Sequence, residues 1–137
     1  MRAARAARRE EGSMAIEVVI LAPVLIAVMM LIVGLGRYVD RRGDVEAMAR
    51  DAVRSASLQR DAASARQAAQ AIVDSTRPSG VTCTPVQLGG TFAPGEIISV
   101  QVRCTVSFSG LGFAGFPGDA TLEGESFAPI DELRRTS

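Results

Sequence analysis

From Val18 to Gly36 the chain runs for 19 residues without a charge, and the residue immediately before this run is Glu17. About 20 predominantly apolar residues cross the hydrocarbon core of a bilayer, so the run has the length of a membrane-spanning helix. A secretory signal peptide has a shorter apolar core, roughly 7–15 residues, followed by a small-residue cleavage site. Here the run is longer, and Gly34-Leu-Gly-Arg37 is a poor cleavage site. A retained helix over residues 13–36 is therefore expected. A carboxylate at the head of such a helix is costly to bury, so Glu17 calls for a reason.

Residues 1–12 read as a basic leader, rich in Ala and Arg and not expected to fold by themselves. Four arginines, Arg2, Arg5, Arg8 and Arg9, precede the apolar run, offset by Glu10 and Glu11; Arg37, Arg41 and Arg42 follow it. Counting positive charge on the two flanks leaves the orientation of the span close to a draw. The whole chain has 15 basic and 15 acidic residues and a net charge of zero, which speaks against a nucleic-acid partner. Histidine is absent, and with it the commonest general base and metal ligand. No catalytic, cofactor or metal-binding constellation stands out, so the chain reads as a non-enzyme that needs no cofactor.

Past Arg37 the pattern stays helical but becomes two-sided. Val45, Met48, Ala49, Ala52, Val53 and Ala56 recur at three-and-four spacing, with Asp44, Glu46, Arg50, Asp51 and Arg54 on the other side. A helix from Ser13 to Leu58 would be about 70 Å long, roughly twice a bilayer's thickness. Pro23 predicts a mild kink. Asp61 is a good N-cap for a second helix ending near Ser75, and Arg77-Pro-Ser-Gly80 turns the chain. Together residues 37–76 form an amphipathic helical stalk.

After Gly80 the period changes to that of strands. Val81–Val86 reads as a first strand, Leu88–Gly95 as a loop, and Ile97–Phe108 as a long strand with one packed and one wet face. A glycine-rich loop, Gly110–Gly118, carries Leu111, Phe113 and Phe116. These rings would either contact a neighbour or fold back over the sheet. A last strand covers Ala120–Ala128, and residues 129–137 form a polar tail. The expected class is α+β: a long N-terminal helix, a short second helix, then a small three-stranded antiparallel sheet over residues 81–128.

Cys104 falls on the packed row of the long strand, and Cys83 on a strand expected to pair with it. A disulfide between them would stabilise the fold by roughly 3 kcal/mol. It also requires an oxidising compartment, which places the C-terminal part outside the cytoplasm and the N-terminus inside. The alternative is two buried free thiols.

Glu17 complements the positive end of a helix dipole, which makes it tolerable. A functional reading needs a cut between Gly12 and Ser13. The new ammonium at Ser13 would sit four residues from Glu17, and in a packed array of such helices each Glu17 could neutralise a neighbour's terminus.

At these residues the chain resembles a known family. Arg9-Glu-Glu-Gly-Ser-Met-Ala-Ile-Glu17, the aliphatic run containing Pro23, and Gly34-Leu-Gly-Arg37 look like the N-terminus of TadE-like pilus assembly proteins, which are pilin-like proteins of the tight-adherence (type IVc) system. Val81-Thr-Cys-Thr and Val100-Gln-Val-Arg-Cys-Thr-Val fit the C-terminal part of the same family, so the likeness covers most of residues 8–128. Its specific portion is residues 9–37. The resemblance implies a prepilin peptidase that cuts after Gly12, Ser13 as mature N-terminus, and Glu17 as the assembly glutamate. It implies a minor pilin or pseudopilin, with other pilin-like subunits and the assembly platform as partners, in or beside the cell membrane. A single-pass, membrane-anchored extracytoplasmic binding module that never enters a filament is the alternative.

Overall fold

The computed structural model describes the backbone of residues 2–108 and 118–133, and side chains from Ile16 onward. The Gly110–Gly118 loop, except Gly118, and the tail from Arg134 lie outside the described residues. The elements are α1 (Arg2–Ser57), α2 (Ala62–Thr76), β1 (Val81–Cys83), β2 (Gln87–Gly89), β3 (Ile97–Ser107) and β4 (Asp119–Pro129). The class is α+β, as the change of period at Gly80 predicts. The chain divides into two compact units, Met1–Arg37 and Tyr38–Ser137.

The first unit is helical from Arg2, not from Ser13. The segment 1–12, which reads as unfolded, is rich in Ala and Arg, both strong helix formers, and holds no proline. Nothing at Ser13 forces a start. The helix also continues through Pro23, whose missing N–H leaves one carbonyl a turn earlier without its usual donor.

In the second unit the sheet has four strands among the described residues, not the three expected. β2 occupies the front of the segment expected as a loop, pairing Gln87, Leu88 and Gly89 with Gln101, Val100 and Ser99 of β3. Three residues ending in glycine are too few to show an alternation, so only the pairing defines the strand. β1 is shorter than the Val81–Val86 expected. Thr84 still donates its N–H to Arg103 O at 2.9 Å, but Pro85 has no N–H to offer. Val86 N–H then turns to the Oε1 of Gln70 on α2, 2.9 Å away. β3 is the central strand. β4 pairs with it antiparallel along its whole length, from Ile97↔Pro129 to Ser107↔Asp119, so β1 and β2 share its other edge.

One face of this sheet holds the core. Ile98, Val100, Val102, Cys104 and Val106 of β3 are buried, together with Leu122, Val81, Val86 and Ile130. Against them lie Val45, Met48, Ala49, Ala52, Val53 and Ala56 of α1, and Ala65, Ala69 and Val73 of α2. Five of those nine helical positions are fully buried alanines. Small side chains let a backbone approach closely, and α1 does so at Gly124 of β4. A methyl group there would stand 2.8 Å from the carbonyl oxygen of Val45.

Asp61 caps α2 as its position predicts. The backbone N–H of Ser64 donates to Oδ1 at 2.9 Å and the Ser64 hydroxyl to Oδ2 at 2.8 Å. These two hydrogen bonds, the backbone one foremost, hold the Asp61 carboxyl below its ordinary pKa. A lowered folded-state pKa means the cap's contribution is present above the unfolded carboxylate pKa and disappears as pH falls through the folded value. Asp61→Ala should therefore destabilise the unit at neutral pH and lose its effect in strong acid, whereas Asp61→Asn, which keeps an acceptor, should cost less at neutral pH. Thermal melts of the three proteins across pH check both statements.

Candidate functional site

The candidate site belongs to α1. Gly12 and Ser13 lie within its helical backbone, and Glu17 stands one helical turn beyond Ser13. Glu17 is exposed and has neither hydrogen bond nor ion pair among the described residues. Its neighbours are large and apolar: Ile16, Val18 and Ile20 are each 65% exposed. The helix has an 18-residue window of mean hydropathy 3.1, with only 6% of that window buried. It is long and apolar enough to cross a membrane. Uncovered aliphatic surface on this scale has to be removed from water by lipid or by neighbouring helices.

Glu17 is the only acidic residue between Ile16 and Val39. On a helix in lipid a central carboxylate costs about 2.5–3.5 kcal/mol. At the edge of the apolar run the cost falls because headgroup water is within reach, but α1 begins at Arg2, about four turns earlier, so the positive end of its dipole does not offset the Glu17 charge. A cationic partner would offset the remainder, and among the described residues none is present within this chain. Two of the arginines past the apolar run are otherwise engaged: Arg41 pairs with Asp44 at 3.5 Å and Arg42 with Glu46 at 3.2 Å. Both pairs are exposed and contribute little to stability.

Cys83 and Cys104 are joined by a disulfide of S–S 2.03 Å. They are direct partners in the β1–β3 register, with Cα atoms 3.9 Å apart. Cys104 is fully buried and Cys83 partly so. The bridge ties β1 to the central strand within the hydrophobic core.

Two features of the second unit escape a reading of single strands. Arg103 Nε donates to Glu123 Oε1 at 2.6 Å across the exposed sheet face. A polar groove of about 330 Å³ also runs between β4 and α1, lined by Arg42, Glu46, Arg50 and residues 123–126. The alternation of Asp119, Thr121, Glu123, Glu125 and Phe127 is the available signal for the first feature. The groove depends on α1 returning to the sheet, which no local pattern encodes.

Residues 12–54 match the family model described as TadE-like protein. The matched segment contains Gly12, Ser13, Glu17, the apolar run and the α1 residues that enter the core. It ends before α2 and the sheet, so the likeness noted around Val81 and Val100 has no counterpart in it. No curated protein and no solved structure matches the chain.

Proposed function

We propose that this TadE-like chain is a minor pilin or pseudopilin of the tight-adherence (type IVc) pilus system, anchored in the membrane by α1 and acting by assembly, not catalysis. The observation that carries the proposal is Glu17, a carboxylate without an ion-pair partner among the described residues, at the head of an uncovered apolar run, five residues past Gly12 and inside the family match. In this reading a prepilin peptidase cuts after Gly12. The cut removes Arg2, Arg5, Arg8, Arg9, Glu10 and Glu11 and exposes an ammonium on Ser13. Glu17 of one subunit then neutralises the terminal ammonium of another as their helices pack. Low dielectric makes an unpaired Glu17 expensive and a paired one directional, so the ion pair selects register. The disulfide supports an extracytoplasmic C-terminal unit, with the N-terminus in the cytoplasm.

A second reading, a membrane-anchored extracytoplasmic binding module with an uncut leader, is favoured by one observation. The α1 backbone is helical without a break from Arg2 through Gly12 and Ser13. Intact-mass measurement of the chain made with and without a prepilin peptidase separates the two. The first reading expects residues 1–12 to be lost only when the peptidase is present. It further expects Glu17→Ala to be cut and inserted normally but to fail in assembly. A leader that stays intact in the native host overturns processing, and normal pili from Glu17→Ala overturn the pairing.

A further inference from the structure

β4 is an edge strand, and its free edge has a definite chemical pattern. In the β3–β4 register, Phe108 N–H donates to Gly118 O at 2.7 Å, and Ile130 N–H donates to Glu96 O at 2.8 Å. Hydrogen-bonded pairs in an antiparallel ladder recur every second residue. The even-numbered residues of β4 therefore turn their backbone groups toward β3, and the odd-numbered ones turn theirs outward. The pairing of Arg103 with Glu123 agrees, because non-hydrogen-bonded pairs bring side chains closest. Pro129 agrees as well: it sits on the outward-facing parity, where a missing N–H breaks no ladder bond. Among the described residues, no strand pairs with this edge.

The same odd-numbered residues carry the exposed side-chain row Thr121, Glu123, Glu125 and Phe127. Glu123 is held by Arg103, whereas Glu125 faces Gln101 and has no ion-pair partner among the described residues. Phe127 is 64% exposed, and Ile97, diagonal to it across the β3–β4 register, is 60% exposed. An added antiparallel strand would place one residue directly opposite each member of this row. A second copy's β4 is a poor occupant in the central registers. Antiparallel self-pairing centred on Glu123, Gly124 or Glu125 sets glutamate against glutamate in each case, and like charges directly opposite destabilise a ladder.

The geometry points to β4 as a docking edge for an extended segment of another protein, with an apolar residue opposite Phe127 and basic residues opposite Glu125 and Glu123. Read in the partner's own direction this is apolar–x–basic–x–basic. Backbone bonds supply affinity and the alternate side chains supply selectivity. The intervening residues of the partner would face the groove that Arg42, Glu46 and Arg50 line. This inference does not depend on leader cleavage or filament entry.

The test uses the full chain in detergent micelles and a labelled peptide with isoleucine, arginine and arginine at alternate positions, separated by threonines. Fluorescence anisotropy should show saturable binding, weakened at least about tenfold when glutamates replace the arginines. Methylating the backbone nitrogens of the two arginines leaves charge intact but removes ladder donors, and should weaken binding by about tenfold or more. Glu125→Arg should reverse the charge preference, and Glu125→Gln should weaken binding of the basic peptide to an intermediate degree. Equal binding of the methylated peptide would reduce the effect to simple charge attraction and overturn the proposal. So would an unchanged preference in Glu125→Arg, or sedimentation showing that copies of the chain pair through this edge.

Discussion

Cys83→Ser lowers the stability of the Tyr38–Ser137 unit by about 3 kcal/mol, the loop-closure value for a bridge whose ends are 21 residues apart in sequence. For a unit of this size each kcal/mol moves the melting midpoint by about 4–8 °C, so a fall of about 12–24 °C is expected. Cys104→Ser should cost more than Cys83→Ser. Cys83 is partly exposed and its hydroxyl replacement can reach water, whereas Cys104 is fully buried among Val102, Val106 and Leu122. A hydroxyl left there without a partner adds about 1–3 kcal/mol. Circular-dichroism melts of both variants in detergent, with the reduced parent as reference, measure the difference. Equal midpoints for the two variants would contradict the burial argument, and a parent insensitive to reductant would contradict the bridge's contribution.

Gly124→Val is the second large effect. Its Cβ alone would stand 2.8 Å from Val45 O, 3.1 Å from Val45 C and 3.2 Å from the Cα of Glu46. These are backbone atoms of α1, and no rotamer change moves them aside. The helix has to lift from the sheet, which loosens Val45, Met48 and Ala49 from the core. Overpacking of this kind costs about 1–3 kcal/mol, and the γ-methyl groups of valine put it at the upper end. Gly124→Ala should fall near the lower end, because alanine also stiffens the unfolded chain. Chemical denaturation of the three proteins orders them: wild type, alanine, valine. A valine variant as stable as wild type would mean that α1 does not press on β4.

Some of the fold is legible along the chain because its causes are local. The three-and-four spacing from Val45 to Ala56, the cap at Asp61 and the alternation from Ile98 to Val106 each express one periodicity or one hydrogen-bond need. β2 is not legible. Gln87–Gly89 exists as a strand only because Val100 and its neighbours in β3 lie alongside it. The start of α1 is misread for a related reason: a segment rich in Ala and Arg has helical propensity of its own.

The candidate site divides along the same line. Glu17, its distance from Gly12 and the apolar run behind it are properties of the sequence alone, since a charge pattern on one continuous helix needs no other element to define it. Tertiary structure decided what faces what. It set Cys83 directly opposite Cys104, brought α1 against Gly124, and left the odd-numbered edge of β4 without a strand partner among the described residues, with Glu123 tied to Arg103 and Glu125 free of any described ion pair. Those relations depend on register between segments distant in the chain. Register is fixed by the burial of one whole sheet face, not by any residue's own preference.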